Sequence, residues 1–237
     1  MNPIRGIFFD AFKTLIYLHP SYPGAFADVC RHFNYPVTEA AVAHVLDDIE
    51  RAMELRWRSD GNFTCSPEEL GRRWRALNRA IFRAVGVEGD ADALSEEMER
   101  RFDDGAYTRT YEDSLPTIAR LRARGFRLGV ISNGTPGVAR NLELAGVSER
   151  VDFVLVSALA GWEKPAREIF AMGLEAVGLP PAEVVFLGDH YEADIKGARA
   201  AGMRAVMIDR EGRATAADCP IVRDLTEFCA WLDKSEG

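Results

Sequence analysis

Short apolar runs punctuate this chain at residues 4–9, 126–131, 151–156, 184–187 and 203–208. Each has the length of a strand, and the apolar residues mostly follow one another rather than alternate with polar ones. That is the texture of strands buried on both faces of a sheet. Around the last four runs lie stretches of helical spacing, at 114–124, 136–144, 165–177, 193–201 and 225–232. Gly125, Gly146, Gly178 and Gly202 stand just past four of these stretches, where a left-handed residue commonly ends a helix. The alternation predicts an α/β protein with a parallel sheet covered by helices.

Residues 17–105 have another texture. They lack a comparable strand-like run, and their apolar residues recur at helical intervals, as in Leu46, Ile49, Met53 and in Leu70, Trp74, Leu77, Ile81. Helices are predicted at 22–33, 39–57, 67–85 and 92–102, with Trp74 in their shared core. The first strand is thereby separated from the rest of its sheet by an all-helical insertion. His19-Pro20-Ser21 and Asp103-Asp104-Gly105 supply the turn chemistry of two hinges. The expected division is a core of residues 1–16 and 106–237, with a helical domain at 17–105.

Composition narrows the classes. The chain has 237 residues, 47% hydrophobic and 28% charged, which suits an ordinary globular protein with a sizeable core. A formal net charge of −8 argues against nucleic acid or anionic lipid as a general partner. It leaves room for a small anionic substrate held by a few local cations. No apolar run is long enough to span a membrane, and the opening Met-Asn-Pro-Ile-Arg lacks the apolar centre of a signal peptide. Cys30, Cys65, Cys219 and Cys229 are scattered without metal-ligand spacing and read as reduced thiols. A cytoplasmic location is the expectation, as a monomer or homodimer.

Four places carry candidate chemistry. Asp10 ends the first apolar run, where open parallel sheets present ligands; an Asp there equally well caps a turn. Ser132-Asn133-Gly134 follows the run at 126–131 and offers a hydroxyl and backbone N–H groups to an anion, or simply a turn. Lys164 precedes Pro165, which is expected to start a helix. A cation gains nothing from a helix dipole at that end, so Lys164 is either answering a nearby anion or solvated. Asp189 and Asp194 follow the run at 184–187; with Asp10 they could form an oxygen-rich site for a hard cation, or serve as two helix caps.

The joint order of these residues resembles the haloacid dehalogenase superfamily. Asp10-Ala11-Phe12-Lys13-Thr14 stands for its first motif, Ser132 for the second, Lys164 for the third, and Gly188-Asp189 with Asp194 for the fourth. The resemblance spans the whole chain and implies a Rossmann-like core with a helical cap inserted after the first strand. It implies that Asp10 attacks the substrate and that Ser132 binds a transferring oxygen, with Thr14, Asn133 and Trp162 also around the substrate. Lys164 would pair with Asp10. Mg²⁺ would be held by Asp10, the backbone carbonyl of Phe12, Asp189 and Asp194. A small phosphorylated metabolite is the implied substrate.

One position departs from the phosphatase pattern. Phe12 stands where phosphatases of the superfamily have a second Asp, which serves as general acid–base. A phenyl ring cannot move a proton, and general acid–base catalysis is typically worth ~10²–10⁴-fold. Dehalogenases of the superfamily carry an aromatic residue there, since halide leaves unprotonated. Three readings follow: a phosphatase that needs no acid or borrows one, with His190 a candidate; a 2-haloacid dehalogenase; or a weakly active homologue that binds a phosphorylated ligand. The retained acids favour the first. Arg56-Trp57-Arg58 and Arg72-Arg73-Trp74-Arg75 are basic clusters of the insertion, expected to be mainly solvated.

Overall fold

The computed structural model describes residues 3–57, 63–214 and 218–236. Six strands form one parallel sheet: β1 (Gly6–Phe9), β4 (Arg127–Ser132), β5 (Phe153–Val156), β6 (Val184–Gly188), β7 (Arg204–Ile208) and β8 (Ile221–Val222). Their order is β5-β4-β1-β6-β7-β8. Numbered within the sheet this is 3-2-1-4-5-6, the Rossmann-like order in which the chain reverses direction of growth beside its first strand. β1 pairs with β4 on one side and β6 on the other, Phe9 facing Val130 and Leu187. The carboxyl ends of three strands therefore open onto one crevice.

Alternation along β1 explains its position. Ile7 and Phe9 enter one apolar cluster with Leu128, Val130, Val185 and Leu187, while Phe8 enters another with Ile131, Phe170 and Phe186. Both faces are dry, so every residue of β1 is buried. Gly129 has a steric role on the second face. A methyl group there would lie 2.1 Å from the Phe153 ring, which packs edge-on against Phe8.

Helices α1 (Tyr22–His32), α2 (Glu39–Trp57), α3 (Pro67–Ala84) and α4 (Ala91–Asp103) lie between β1 and the rest of the sheet in sequence. They bury a cluster of their own, including Phe26, Val29, Leu46, Leu77, Ile81, Phe82, Leu94 and Met98. α3 begins with a capping pair: Ser66 Oγ accepts from the Glu69 N–H at 3.2 Å, and Pro67 fits the first turn. Trp74, expected in that core, is instead 36% exposed. Leu70, Leu77 and Ile81 fill the buried stripe without it. The side chains of Met53, Arg56 and Trp57, and all of Arg58, lie outside what the structure describes.

The remaining helices flank the sheet: α5 (Ser114–Ala123), α6 (Gly137–Leu144), α7 (Ser157–Ala160), α8 (Arg167–Val177), α9 (Gly197–Ala200) and α10 (Leu225–Glu236). Three local departures matter. A short antiparallel ribbon of β2 (Ile16–Leu18) and β3 (Thr108–Thr110) joins the helical insertion to the sheet, so strand structure crosses the boundary set at residue 17. Three residues per strand are too few to show a sequence period. Next, α8 starts at Arg167, not at Pro165. Finally, the helix expected at 193–201 opens earlier, as a π-helical turn over Tyr191–Lys196.

Candidate active site

Asp10 stands one residue past β1, at the tip of the sheet. Its backbone N–H donates to Leu187 O at 2.8 Å, extending the pairing with β6 by one step. The chain then turns sharply, with Lys13 in a left-handed conformation (φ 56°) and Leu15 and Ile16 N–H both returning to Ala11 O. Phe12 is half-buried on that turn, its ring stacked on Phe102 of α4 at 5.7 Å. Thr14 is fully buried, and its Oγ1 has no hydrogen-bond partner. Its carbonyl accepts from Arg210 Nη2 at 2.7 Å. The structure thus gives Thr14 an anchoring position, with its side chain closed off from solvent.

Lys164 reaches this point from the loop before α8. Its ammonium lies 2.6 Å from Asp10 Oδ1 and 2.6 Å from Asp194 Oδ1, and the whole residue is 2% exposed. The expected ion pair with Asp10 forms; the second, with Asp194, was not legible in the spacing. Asn133 holds the lysine's backbone at both ends. Its Nδ2 donates to Lys164 O at 2.9 Å, and its Oδ1 accepts from the Lys164 N–H at 2.7 Å. Expected against the substrate, the Asn133 amide is a clamp on Lys164. The Lys164–Pro165 peptide is cis. Because α8 begins at Arg167, Lys164 belongs to a loop rather than to a helix end.

Ser132 closes β4, the strand that pairs with β1, and is buried there. The following Gly134 N–H donates to Ser157 Oγ at 3.0 Å, which fixes the loop against α7. Trp162 packs against the Phe8–Phe170–Phe186 cluster and forms a backbone bridge with Thr64. It is half-buried at that place.

β6 ends in Gly188, and Asp189 follows. Asp194 arrives from the π-helical turn, its Oδ2 accepting from the His190 N–H at 2.9 Å. Gly188 makes this approach possible: a methyl group there would stand 2.4 Å from Asp194 Oδ2. Ring nitrogen Nδ1 of His190 accepts from the Ala193 N–H at 3.1 Å, so that atom caps the turn.

One carboxylate oxygen from each of Asp10, Asp189 and Asp194 lies within 4.8 Å of the others. Three acids face one lysine, and the electrostatics reflect that excess. Burial, with Asp194 and Asp189 nearby, pushes the Asp10 carboxyl up to about 7 despite Lys164. Burial and Asp194 push Asp189 up to about 6, against the pull of Lys13 and Lys164. Burial pulls the Lys164 pKa down, but Asp10 and Asp194 outweigh it and the pKa stands above the usual lysine range. Hard oxygen donors, close together and short of positive charge, suit a hard divalent cation such as Mg²⁺. That fit rests on the donor set itself.

A parallel sheet in this order, with an aspartate at the tip of its first strand beside Lys164 and two further acids, and Ser132 ending the neighbouring strand, defines a class of hydrolase. The chain matches the haloacid dehalogenase-like hydrolase family over residues 4–202 and belongs to it. It is 30% identical to human haloacid dehalogenase-like hydrolase domain-containing protein 3, over 93% of this chain and 86% of that one. It is 36% identical to phosphoserine phosphatase of Thermus thermophilus, over 58% of this chain and 55% of that one, about half that enzyme's length. Among solved structures it resembles the magnesium-bound putative hydrolase YfnB from Bacillus subtilis, with TM-score 0.79 and 22% identity, covering 98% of this chain and 100% of that one. Solved L-2-haloacid dehalogenases share the fold as well.

Proposed function

We propose that this protein is a Mg²⁺-dependent phosphohydrolase acting through an aspartyl-phosphate on a small phosphorylated metabolite. The observation that carries this reading is the Asp10–Lys164–Asp194 group with Asp189 beside it: one candidate nucleophile, one cation, and two acids in excess. Asp10, Asp189 and Asp194 are the side chains that would hold Mg²⁺, with the Phe12 carbonyl as a fourth donor. Bound there, the metal would supply positive charge that screens a phosphoryl group from the carboxylates.

Within that reading Asp10 attacks phosphorus. An Asp10 oxygen–phosphorus bond forms as the bond to the leaving group breaks. Lys164 keeps Asp10 oriented and neutralises charge that develops on the phosphoryl oxygens, with Ser132 donating to another of them. Water then attacks the phosphorus, the Asp10 oxygen–phosphorus bond breaks, and inorganic phosphate leaves as Asp10 is restored. Phe12 offers no proton to the leaving group, which points to acyl phosphates, anhydrides or other groups that depart unprotonated. The helices α1–α4 act as a cap over the crevice, so that 17–105 forms one domain and 1–16 with 106–237 the other. No helix among the described residues is long and apolar enough to cross a membrane.

One observation favours a second reading. The Phe12 ring in the acid's place suits haloacid dehalogenation, where halide leaves without a proton. The excess of carboxylates argues against it, because a haloacid substrate would add one more negative charge. The test is phosphate release from acetyl phosphate and p-nitrophenyl phosphate with and without Mg²⁺, beside halide release from 2-chloropropionate. Mg²⁺-dependent phosphate release, faster on acetyl phosphate and absent in Asp10→Asn, is expected. Halide release without metal would overturn the phosphatase reading.

A further inference from the structure

The loop that carries Lys164 has two faces, and only one looks into the site. On the inner face Asn133 clamps the Lys164 backbone. The outer face is covered by residues 63–66, the segment that leads into α3. Glu163 N–H donates to Phe63 O at 2.8 Å, Cys65 N–H donates to Gly161 O at 3.1 Å, and Thr64 bridges Trp162 in antiparallel fashion. Cys65 Sγ also donates to Ser157 O at 3.1 Å, and it is Ser157 that holds Gly134 in the loop after Ser132.

An ion pair locks this bridge from the side. Arg73 of α3 lies 2.6 Å from Glu163 Oε2 and also pairs with Glu69, one turn earlier on its own helix. Arg73 and Glu163 are 15% and 16% exposed, far more enclosed than most ion pairs of the insertion. Glu163 is the residue immediately before Lys164. The helical insertion therefore grips the chain one peptide away from the ammonium that neutralises Asp10.

We propose that Arg73 and Glu163 are positioning residues: with the 63–65 bridge they latch the helical layer onto the Lys164 loop, tying its closure to the placement of the Lys164 ammonium. Removal of the latch leaves the strands and the acids untouched. It frees the outer face of the loop, and Lys164 then samples positions away from Asp10. A displacement of about 1 Å at a reacting centre can cost ~10²-fold in rate. The catalytic part of this proposal rests on the phosphohydrolase reading above; the structural part does not.

Two readouts on Arg73→Gln, Glu163→Gln and the double variant test it. Amide hydrogen exchange reports the latch without any substrate. Faster exchange is expected at Cys65 and Glu163, whose N–H groups form the bridge, and also at Lys164, whose N–H is held by Asn133. Phosphate release should show kcat lowered by about tenfold or more with a smaller change in KM, and the double variant no worse than either single one. Arg73→Lys should recover part of both. Unchanged protection at Lys164, with Cys65 and Glu163 released, would confine the latch to the surface and overturn the proposal. So would wild-type kcat in a variant whose bridge has opened. Absence of phosphate release from the unaltered protein refutes the phosphohydrolase reading instead, and the latch then stands or falls on the three amides.

Discussion

Two ionic clusters in this molecule put enclosed carboxylates to opposite ends. In the helical layer, Arg101 lies 2.6 Å from Glu97 and 2.7 Å from Asp28, with the Tyr107 hydroxyl against Asp28 at 3.0 Å. Charges there nearly balance, and hydrogen bonds from Arg100 and Arg101 hold the Glu97 carboxyl down to about 2. At the tips of β1 and β6, Lys164 faces three aspartates, and Asp10 and Asp189 are pushed the other way. The first cluster is satisfied as folded. The second keeps a surplus of negative charge in a dry place, which stability alone does not explain. In the phosphohydrolase reading, that surplus is what a bound cation would offset before an anionic phosphoryl group could approach.

The sharpest way to break the contrast is Lys164→Met. Removing the buried ammonium from this group of acids should lower stability by about 3–5 kcal/mol at neutral pH, read by urea denaturation, and abolish turnover. The loss should shrink at pH 5, where Asp10 and Asp189 take up protons. A variant as stable as the parent at pH 7 would mean that the acids were never ionised together.

Phe12→Asp comes next. If Asp10, Lys164 and Asp189 are already assembled, a carboxyl at this place should raise hydrolysis of ordinary phosphate esters by about tenfold or more. It also leaves Phe102 without its stacking partner, so thermal stability should fall slightly. A folded, Mg²⁺-binding variant with no gain would sink the view that a missing acid limits the rate.

The pH dependence separates the clusters by sign. Asp10 and Asp189 have folded values above the carboxylate norm. Their contribution to stability is present below pH 4 and is lost as pH rises through 6 to 7. Glu97 behaves oppositely: its contribution is present above its unfolded value of 4.5 and is lost as pH falls towards 2. Metal-free protein should therefore lose thermal stability between pH 4 and 7, and Mg²⁺ should restore it at pH 7. An Asp10→Asn variant should flatten that slope. A metal-free protein most stable at pH 7 would contradict the charge surplus.

The smallest effect belongs to the balanced cluster. Arg101→Gln should cost about 1–3 kcal/mol, because it leaves the part-buried Glu97 and Asp28 short of a donor, and leave kcat unchanged. A large loss of activity would erase the distinction between the two clusters.

The sequence carried the α/β class, and it brought Asp10, Lys164, Asp189 and Asp194 forward as candidates, because strands buried on both faces and residues at their tips leave a pattern within a few positions. What it did not carry is contact between distant loops. Nothing in the spacing of Lys164 announces a second partner in Asp194, or that Asn133 grips the lysine's backbone. Trp74 fitted the helical period yet lies at the surface, since a period names a stripe and packing decides its edges. β2 and β3 were too short to register. The π-helical turn at 191–196 has no periodic signature, although it is what brings Asp194 beneath Gly188.

That glycine bears on how proteins of this kind are recognised from their genes. A search that tracks acidic residues alone treats Gly188 as punctuation between a strand and a motif. In this molecule it is a vacancy of one methyl group, filled by a carboxylate that arrives from the next turn. A substitution to alanine keeps every charge in the written sequence, yet its methyl group would force Asp194 to shift. Homologues lacking glycine at this place, however complete their acids, belong under suspicion of having changed trade.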